Sequence, residues 1–234
     1  MNVAIILAGG KGERMGGGKP KQFLEMGGKT ILEHSVNVFE QHPGIDETAI
    51  VTHKDYIGTV ENMITVNKWE KVGKIIAGGI ERYESSLAAI QEYISMPDCK
   101  ILIHDAVRPL VSRRIIDDVI KALEKYNAVN VTLPVTDTII VMDESRQFVN
   151  NIPDRRKFHR GQSPQGFRCS TLAGAYEKAL SDPAFIATDD CGVVAHYLPE
   201  EKIFAVAGEE SNMKLTYRED ISLIEKYMQK YKLK

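Results

Sequence analysis

Short apolar runs alternate along the chain with longer stretches of helical period. Residues 3–7, 49–51, 74–76, 101–103 and 129–133 are dominated by Val, Ile, Leu and Ala and have the length of buried strands. Between them, residues 31–40, 56–67, 85–94 and 113–126 predict helices. In the last of these, Ile115, Ile116, Val119, Ile120 and Leu123 form an apolar stripe at i, i+3, i+4 spacing. Thr30 with Glu33 predicts a capping box, and Ser112 an N-cap for the next long helix. Further helices are expected at 170–181, 188–197 and 219–231, with a strand at 203–206. One stretch breaks the rhythm: residues 138–142 and 147–149 flank polar Asp143, Glu144, Ser145 and Arg146, the pattern of a β-hairpin with a four-residue loop. Inserted ahead of residues 154–165, it reads as a protruding arm over about 136–160. No internal repeat or linker interrupts the chain, so residues 1–234 are expected to form one domain. The alternation implies an α/β fold, a mostly parallel twisted sheet with helices on both faces. Such sheets bind ligands beyond the carboxyl ends of their strands, which directs attention to the residues just after each strand.

Composition narrows the class. The 234 residues carry 43% hydrophobic and 26% charged side chains, the proportions of a globular chain. A net charge of −2 gives no bulk attraction to nucleic acid or anionic membrane. The cysteines Cys99, Cys169 and Cys191 are odd in number, far apart in sequence and in no CxxC pair, which argues against a disulfide framework or thiolate zinc. The start lacks a charged signal-peptide region, and no apolar run approaches the ~20 residues of a membrane span. A soluble, cytoplasmic protein is expected.

Five segments carry candidate chemistry. After the first strand comes Leu7-Ala8-Gly9-Gly10-Lys11-Gly12-Glu13-Arg14-Met15, followed by Gly16 to Gly18 and Lys19-Pro20-Lys21. Closely spaced glycines let backbone N–H groups converge on phosphate oxygens, and Lys11, Arg14 and Lys21 add cations. The loop is not a Walker A motif, because no Gly stands six positions before Lys19 or Lys11. Nor is it a dinucleotide fingerprint, because Met15 occupies the last Gly position. The alternatives are a flexible surface loop or nucleoside triphosphate binding, and its place after strand one favours the second.

In the second segment, a buried strand ends in Asp105, ahead of Ala106-Val107-Arg108-Pro109. A hard carboxylate at a sheet edge suits Mg²⁺; an Asp105–Arg108 ion pair that shapes the turn is the plainer reading. His104 reads as a packed, hydrogen-bonded residue rather than a ligand. The third segment, Gly78-Gly79 with Arg82, Ser85 and Ser86, suits a base, ribose or phosphate, although Ser85 alone reads as an N-cap. In the fourth, Arg155, Arg156, Lys157 and Arg160 precede a polar turn at Gln162–Gln165. Such a run forms either a solvated face or a phosphate clamp. The fifth, Thr188-Asp189-Asp190, fits a helix N-cap, with contact to substrate hydroxyls as the sharper alternative.

Taken together these segments resemble one family from end to end: the cytidylyltransferases that convert 2-C-methyl-D-erythritol 4-phosphate or ribitol 5-phosphate to CDP-alcohols. The matching pieces are Leu7 to Met15 with Pro20-Lys21-Gln22-Phe23, Gly78-Gly79 with Arg82 and Ser85, His104 to Pro109, Asp137-Thr138, Gln162 to Gln165, Thr188-Asp189 and Asn212-Met213-Lys214-Leu215-Thr216. Each is weak alone, and the ordered set is specific. The resemblance implies a Rossmann-like nucleotidyltransferase fold, Mg²⁺ dependence and a homodimer with exchanged β-hairpin arms. It implies that Arg14, Lys21 and Lys214 stabilise charge on the CTP phosphates, and that Leu7, Ala8, Gly9, Gly10, Lys11, Gly12, Ser85 and Ala106 hold the nucleotide. Gly79 and Arg82 would border the base, and Asp105 would ligate the metal. Arg108, Thr138, Arg155, Thr188 and Asp189 would bind the acceptor, with Thr138 and Arg155 reaching the neighbouring subunit's site. Leu7 to Gly10, Val107 and Gly161 to Gln165 look more like the ribitol-phosphate branch, so ribitol 5-phosphate is the expected acceptor and methylerythritol phosphate the alternative. Ser163 stands where the family usually has Thr. Two rivals from other classes are a non-catalytic nucleotide-binding module, opposed by the joint presence of Arg14, Lys21, Asp105 and Lys214, and a dinucleotide oxidoreductase, opposed by Met15.

Overall fold

The computed structural model describes residues 1–10, 20–186 and 189–230. Lys11, Gly12, Arg14 and Gly16 to Gly18 of the glycine-rich loop, and Thr188, lie outside the described residues. The chain opens with β1 (Asn2–Ala8), the short pair β2 (Glu25–Met26) and β3 (Lys29–Thr30), and α1 (Ile31–Glu40). It continues through β4 (Glu47–Thr52), α2 (Ile57–Asn67), β5 (Val72–Ala77), α3 (Arg82–Tyr93), β6 (Lys100–Asp105), α4 (Arg113–Ala122) and β7 (Ala128–Pro134). A hairpin of β8 (Val141–Met142) and β9 (Val149–Asn151) precedes β10 (His159–Arg168), α5 (Cys169–Leu180), α6 (Asp190–Tyr197), β11 (Ile203–Ala207) and α7 (Asp220–Lys230).

Among the described residues, seven strands form one sheet in the order β11-β7-β10-β6-β1-β4-β5. All neighbours run parallel except β10, which lies antiparallel between β6 and β7. Side-chain alternation splits β1 between two faces. Ala4, Ile6 and Ala8 join Leu32, Val36, Phe39, Val60, Met63, Ile116 and Val119 from α1, α2 and α4. Val3 and Ile5 join Ile90, Tyr93, Leu172, Tyr176 and Val194 from α3, α5 and α6. The predicted α/β sandwich is therefore present, with helices on both faces.

Local capping explains where several helices start. Thr30 accepts the Glu33 N–H while the Glu33 carboxylate accepts the Thr30 N–H, and the Ser112 hydroxyl accepts the Ile115 N–H. Three expectations need correction. Ser85 is not an N-cap: α3 begins at Arg82 behind Glu81, whose carboxylate forms a capping box with Glu84. The helix expected to Tyr126 ends at Ala122, and Tyr126 closes it through a bond to the Ala122 carbonyl at 3.0 Å. In the hairpin, the Asp143 carboxylate accepts the Gln147 and Phe148 N–H groups. This widens the loop and moves the second strand from 147–149 to Val149–Asn151.

The larger miss is β10. Residues 162–165 were expected to form a polar turn, yet they are buried inside a central strand. Its Gly166 meets α4, where an added Cβ would lie 2.7 Å from Val119 Cγ1 and 3.0 Å from Leu123 Cδ1. The cysteines, distant in sequence, include a spatial pair: the Cys169 N–H donates to the Cys99 carbonyl at 2.9 Å, and all three thiols are free and buried. No helix among the described residues is long and apolar enough to cross a membrane.

The packing at Gly166 generates a stability prediction. Gly166→Ala should lower unfolding free energy by about 1–3 kcal/mol, the ordinary cost of overpacking, read as a lower urea midpoint. An unchanged midpoint would mean that α4 gives way without cost.

Candidate active site

The carboxyl ends of β1, β4, β5 and β6 form one edge of the sheet, as the topology rule expects. Asp105, the last residue of β6, pairs in register with Leu7 of β1. Its side chain is 14% exposed and surrounded by cations: Lys214 Nζ lies 2.8 Å from Oδ2, Arg82 Nε 3.4 Å from Oδ1, and Arg108 Nε 3.9 Å from Oδ2. Burial alone would raise the carboxyl's pKa. The charges of Arg82, Lys214 and Arg108, with the Lys214 hydrogen bond, outweigh burial and hold it well below the usual carboxylate range. The plainer sequence reading of Asp105 is therefore met: it pairs with Arg108, as an ionised carboxylate at the carboxyl end of β6.

Beside it, α3 lays its first turn over the sheet edge. The Ser85 hydroxyl sits between strand ends, 3.4 Å from a Cβ position at Gly9 and 2.7 Å from one at Gly78. A Cβ on Gly79 would lie 2.3 Å from Glu84 Cβ, so only glycine lets the chain pass α3 this closely. Ala106 is already committed at its backbone: its N–H donates to Leu7 and its carbonyl accepts from Ser35.

Residues 212–216 close the site from outside. The Leu215 N–H donates to the Val107 carbonyl at 2.8 Å, and Arg108 donates to the Asn212 carbonyl at 2.8 Å. Lys21, 9% exposed, donates to the Thr216 carbonyl at 3.0 Å. Leu215 is anchored with Ile224 and Met228 of α7 against Met26, Ile31 and Leu110. Lys21 is thereby tied to the segment that carries Lys214, far from it in sequence.

Beneath Asp105 lies a buried network. The Ser163 hydroxyl accepts the Asp105 N–H at 3.0 Å and lies 3.1 Å from His104 Nδ1. His104 Nε2 lies 3.1 Å from the Arg108 carbonyl, which can only accept. These contacts assign a neutral imidazole with its proton on Nε2, and Ser163 donating to Nδ1. Burial pushes His104 down to about 4, against the opposing pull of Asp105. The serine keeps the hydroxyl that this network requires.

Other expected site residues are placed less centrally. Asp189 caps α6 through the Gly192 N–H at 2.6 Å, as the N-cap reading expects, and its second oxygen accepts from Gln165 at 2.7 Å. Thr138 is exposed in the arm, and Arg155 donates to the Thr136 carbonyl at the arm's base. Within the single chain the basic run is exposed, with Arg156 paired to Asp154 and Arg160 to Glu210.

Sequence reasoning missed three contributors. Gln22, 3% exposed, donates to the carbonyls of Ala8 and Gly10, pinning the start of the glycine loop. His53 and Tyr56 join Gly9, Gly10, Pro20 and Gln22 around a cavity of about 220 Å³. Gln22 stands in the Pro20-Lys21-Gln22-Phe23 piece of the resemblance without an assigned role, whereas His53 and Tyr56 follow a strand with no motif.

A parallel-rich α/β sheet, with an ionised carboxylate among cations at the strand ends and Gly9 and Gly10 at the end of β1, is an arrangement suited to nucleotidyl transfer. Residues 2–230 match the family described as IspD: 2-C-methyl-D-erythritol 4-phosphate cytidylyltransferase, and the chain belongs to that family. A 2-C-methyl-D-erythritol 4-phosphate cytidylyltransferase of Thermobifida fusca (strain YX) is 43% identical over 227 residues, covering 95% of this chain and 91% of its own. A bifunctional ribulose 5-phosphate reductase/CDP-ribitol pyrophosphorylase of Haemophilus influenzae is 42% identical over 229 residues. That match covers 97% of this chain and 48% of the relative, so the chain spans about half its length. Among solved structures, 4-diphosphocytidyl-2C-methyl-D-erythritolsynthase from Anaerococcus prevotii DSM 20548 superposes with a TM-score of 0.85 at 29% identity, covering 97% of this chain and 96% of that one. The 2-C-methyl-D-erythritol 4-phosphate cytidylyltransferase from Thermus thermophilus gives 0.76 at 26% identity, over 98% and 100%. The chain is therefore a CTP-dependent cytidylyltransferase acting on a polyol phosphate, in a family that generally uses a divalent metal.

The His104 network carries a pH signature. Between 6.5, its ordinary value, and about 4, the unfolded chain takes up a proton that the folded chain refuses. Stability present above pH 6.5 should therefore be lost as the pH falls towards 4, with a slope of up to about 1.4 kcal/mol per pH unit from this residue. His104→Gln removes the titration, so the gap between wild-type and variant urea midpoints should change across that window. Parallel profiles would assign the pH dependence elsewhere.

Proposed function

We propose that the enzyme transfers CMP from CTP to 2-C-methyl-D-erythritol 4-phosphate, releasing pyrophosphate. The observation that carries this reading is the family match over residues 2–230, joined to an Asp105 ringed by Arg82, Arg108 and Lys214. The family match and the Thermobifida fusca relative both point to methylerythritol phosphate, away from the ribitol acceptor expected from Leu7 to Gly10, Val107 and Gly161 to Gln165. Ribitol 5-phosphate remains the second reading on one specific ground, the 42% identity to the CDP-ribitol pyrophosphorylase of Haemophilus influenzae.

In this reading an acceptor phosphate oxygen attacks the α-phosphorus of CTP in line. A new P–O bond forms as the bond to the β-phosphate bridging oxygen breaks, and pyrophosphate carries away the electron pair. The attacking phosphate is already anionic, so no strong base is needed. Catalysis rests on positioning and on cations around the crowded phosphates. Leu7, Ala8, Gly9, Gly10, Lys11, Gly12, Ser85 and Ala106 hold the nucleotide, and Gly79 and Arg82 border the base. Arg14, Lys21 and Lys214 stabilise phosphate charge. Arg108, Thr188 and Asp189 face the acceptor.

Among the described residues there is no cluster of three or more carboxylate, His or Cys side chains able to hold a metal. A lone ionised carboxylate nevertheless fits Mg²⁺, which keeps several waters and binds substrate phosphates. Asp105 is the residue that would hold it, and the ion would neutralise charge on the triphosphate.

The arm supports a dimer. Phe148 is 70% exposed, and Ile140, Val141, Val149 and Ile152 are also exposed, an apolar patch suited to cover by a second subunit. In this reading Thr138 and Arg155 act in the neighbouring subunit's site, whereas Lys21 acts in its own.

A panel assay tests the acceptor. Pyrophosphate release with CTP and Mg²⁺ should be faster with methylerythritol 4-phosphate than with ribitol 5-phosphate, and the reverse ranking establishes the second reading. Asp105→Asn should cut turnover at least a hundredfold in a folded protein; near-wild-type activity would leave Asp105 only its turn-shaping role.

Subunit exchange tests the arm. Lys21→Ala and Arg155→Ala homodimers should both be nearly inactive, while a mixed dimer of the two chains regains one working site. A mixed dimer without activity places both groups in one chain, and a monomer in sedimentation at assay concentration rules out exchange.

A further inference from the structure

Asp190 is a fully buried carboxylate in the first turn of α6, behind the cation ring. Its Oδ1 accepts the Tyr176 hydroxyl at 2.7 Å, and its Oδ2 accepts from Arg82 Nη1 at 2.7 Å. Arg82 is thereby shared between two carboxylates, and the sharing is unequal. Its contact to Asp190 is a short charge-assisted hydrogen bond, whereas Nε stands 3.4 Å from Asp105 Oδ1. Asp190 is held on both sides, by Tyr176 of α5 and by Arg82 itself. A guanidinium released from Asp190 has a ready alternative: its planar fork matches a carboxylate in a two-bond grip, and Asp105 is the acidic side chain it already faces.

We infer that Asp190 is a positioning residue: by taking Arg82 as its partner, it keeps that guanidinium from closing on Asp105 in a two-bond grip, so that Oδ1, which Arg82 Nε holds only at 3.4 Å while Lys214 holds Oδ2, can turn to a divalent cation arriving with the nucleotide. The inference rests on the reading of Asp105 as the cation donor. It gives Arg82 a second duty beside bordering the base, and it makes a buried residue one side chain removed from Asp105 a determinant of cation affinity. The network Tyr176–Asp190–Arg82–Asp105 is continuous from α5 to the strand edge. Its buried members belong to the scaffold, and Asp105 belongs to the reaction.

The test measures Mn²⁺ binding by electron paramagnetic resonance, with saturating CTP and no acceptor, so that binding is read without turnover. Asp190→Asn should raise the Mn²⁺ Kd about tenfold, as competition from one charge-assisted hydrogen bond would do. Asp190→Asn combined with Arg82→Gln should return it towards the wild-type value, because the competitor is gone. A double variant as weak as the single one overturns the proposal, since a merely structural defect would persist. Asp105→Asn separates the two readings. If it loses Mn²⁺ while Asp190→Asn binds like wild type, the positioning role fails and the Asp105 reading stands. If Asp105→Asn itself binds like wild type, both fail.

Should Asp190→Asn not fold, the wild-type protein answers through the Arg82 Nε–H resonance, assigned by its absence in Arg82→Gln. Adding Mg²⁺ and CTP should shift that resonance while the Nη protons held by Asp190 stay slow to exchange. An unmoved Nε–H, or loss of both signals together, overturns the proposal.

Discussion

The pairing of Asp105 with Arg82, Arg108 and Lys214 is the interaction around which the remainder of the site is organised. Three like charges converge there on one carboxylate, at the boundary between the sheet and solvent. Each ion loses hydration on approaching, and that loss is recovered only where partners are placed well. The surplus of positive charge is the signature of a site built for a polyanion. In the proposed reaction those cations are the groups that would meet the triphosphate.

Holding such a cluster requires a rigid frame, and three separate parts of the chain supply it. β6 delivers Asp105 in register with β1, while α3 delivers Arg82 from its first residue. The turn after β6 carries Arg108, whose side chain is tied to residue 212. Lys214 arrives on a segment held by Leu215, which packs with α7 in a satellite core. A neutral His104 and Ser163 fill the space beneath with satisfied hydrogen bonds, so the network carries no buried imidazolium. Packing and charge are therefore coupled: loosening α7 would displace a lysine as surely as mutating it.

Much of this was legible from local pattern. Period-2 and period-3.6 hydrophobicity placed the parallel strands and their helices, because burial on a sheet face or a helix stripe leaves a mark in sequence. Thr30 with Glu33 and Ser112 were readable because capping is a contact within one turn. The place of Asp105 at a strand's carboxyl end was readable because the apolar run before it marks a buried strand. The resemblance over the whole chain added roles that no single motif carries.

What stayed hidden was non-local. β10 contains Gly161, Gln162, Ser163, Pro164 and Gln165, a composition that reads as a turn, and it becomes a strand because β6 and β7 flank it on both edges. Ser85 looked like a cap, yet Glu81 starts the helix and leaves Ser85 to fill the gap between Gly9 and Gly78. Asp190 looked like one more acid at a helix start, and its partnership with Arg82 spans 108 positions. Local pattern specifies the elements, because hydrogen bonding and amphipathic burial act within a few residues. Which charges meet is left to the packed fold, because Coulomb interaction depends on distance in space and distant segments come together only once the core has formed.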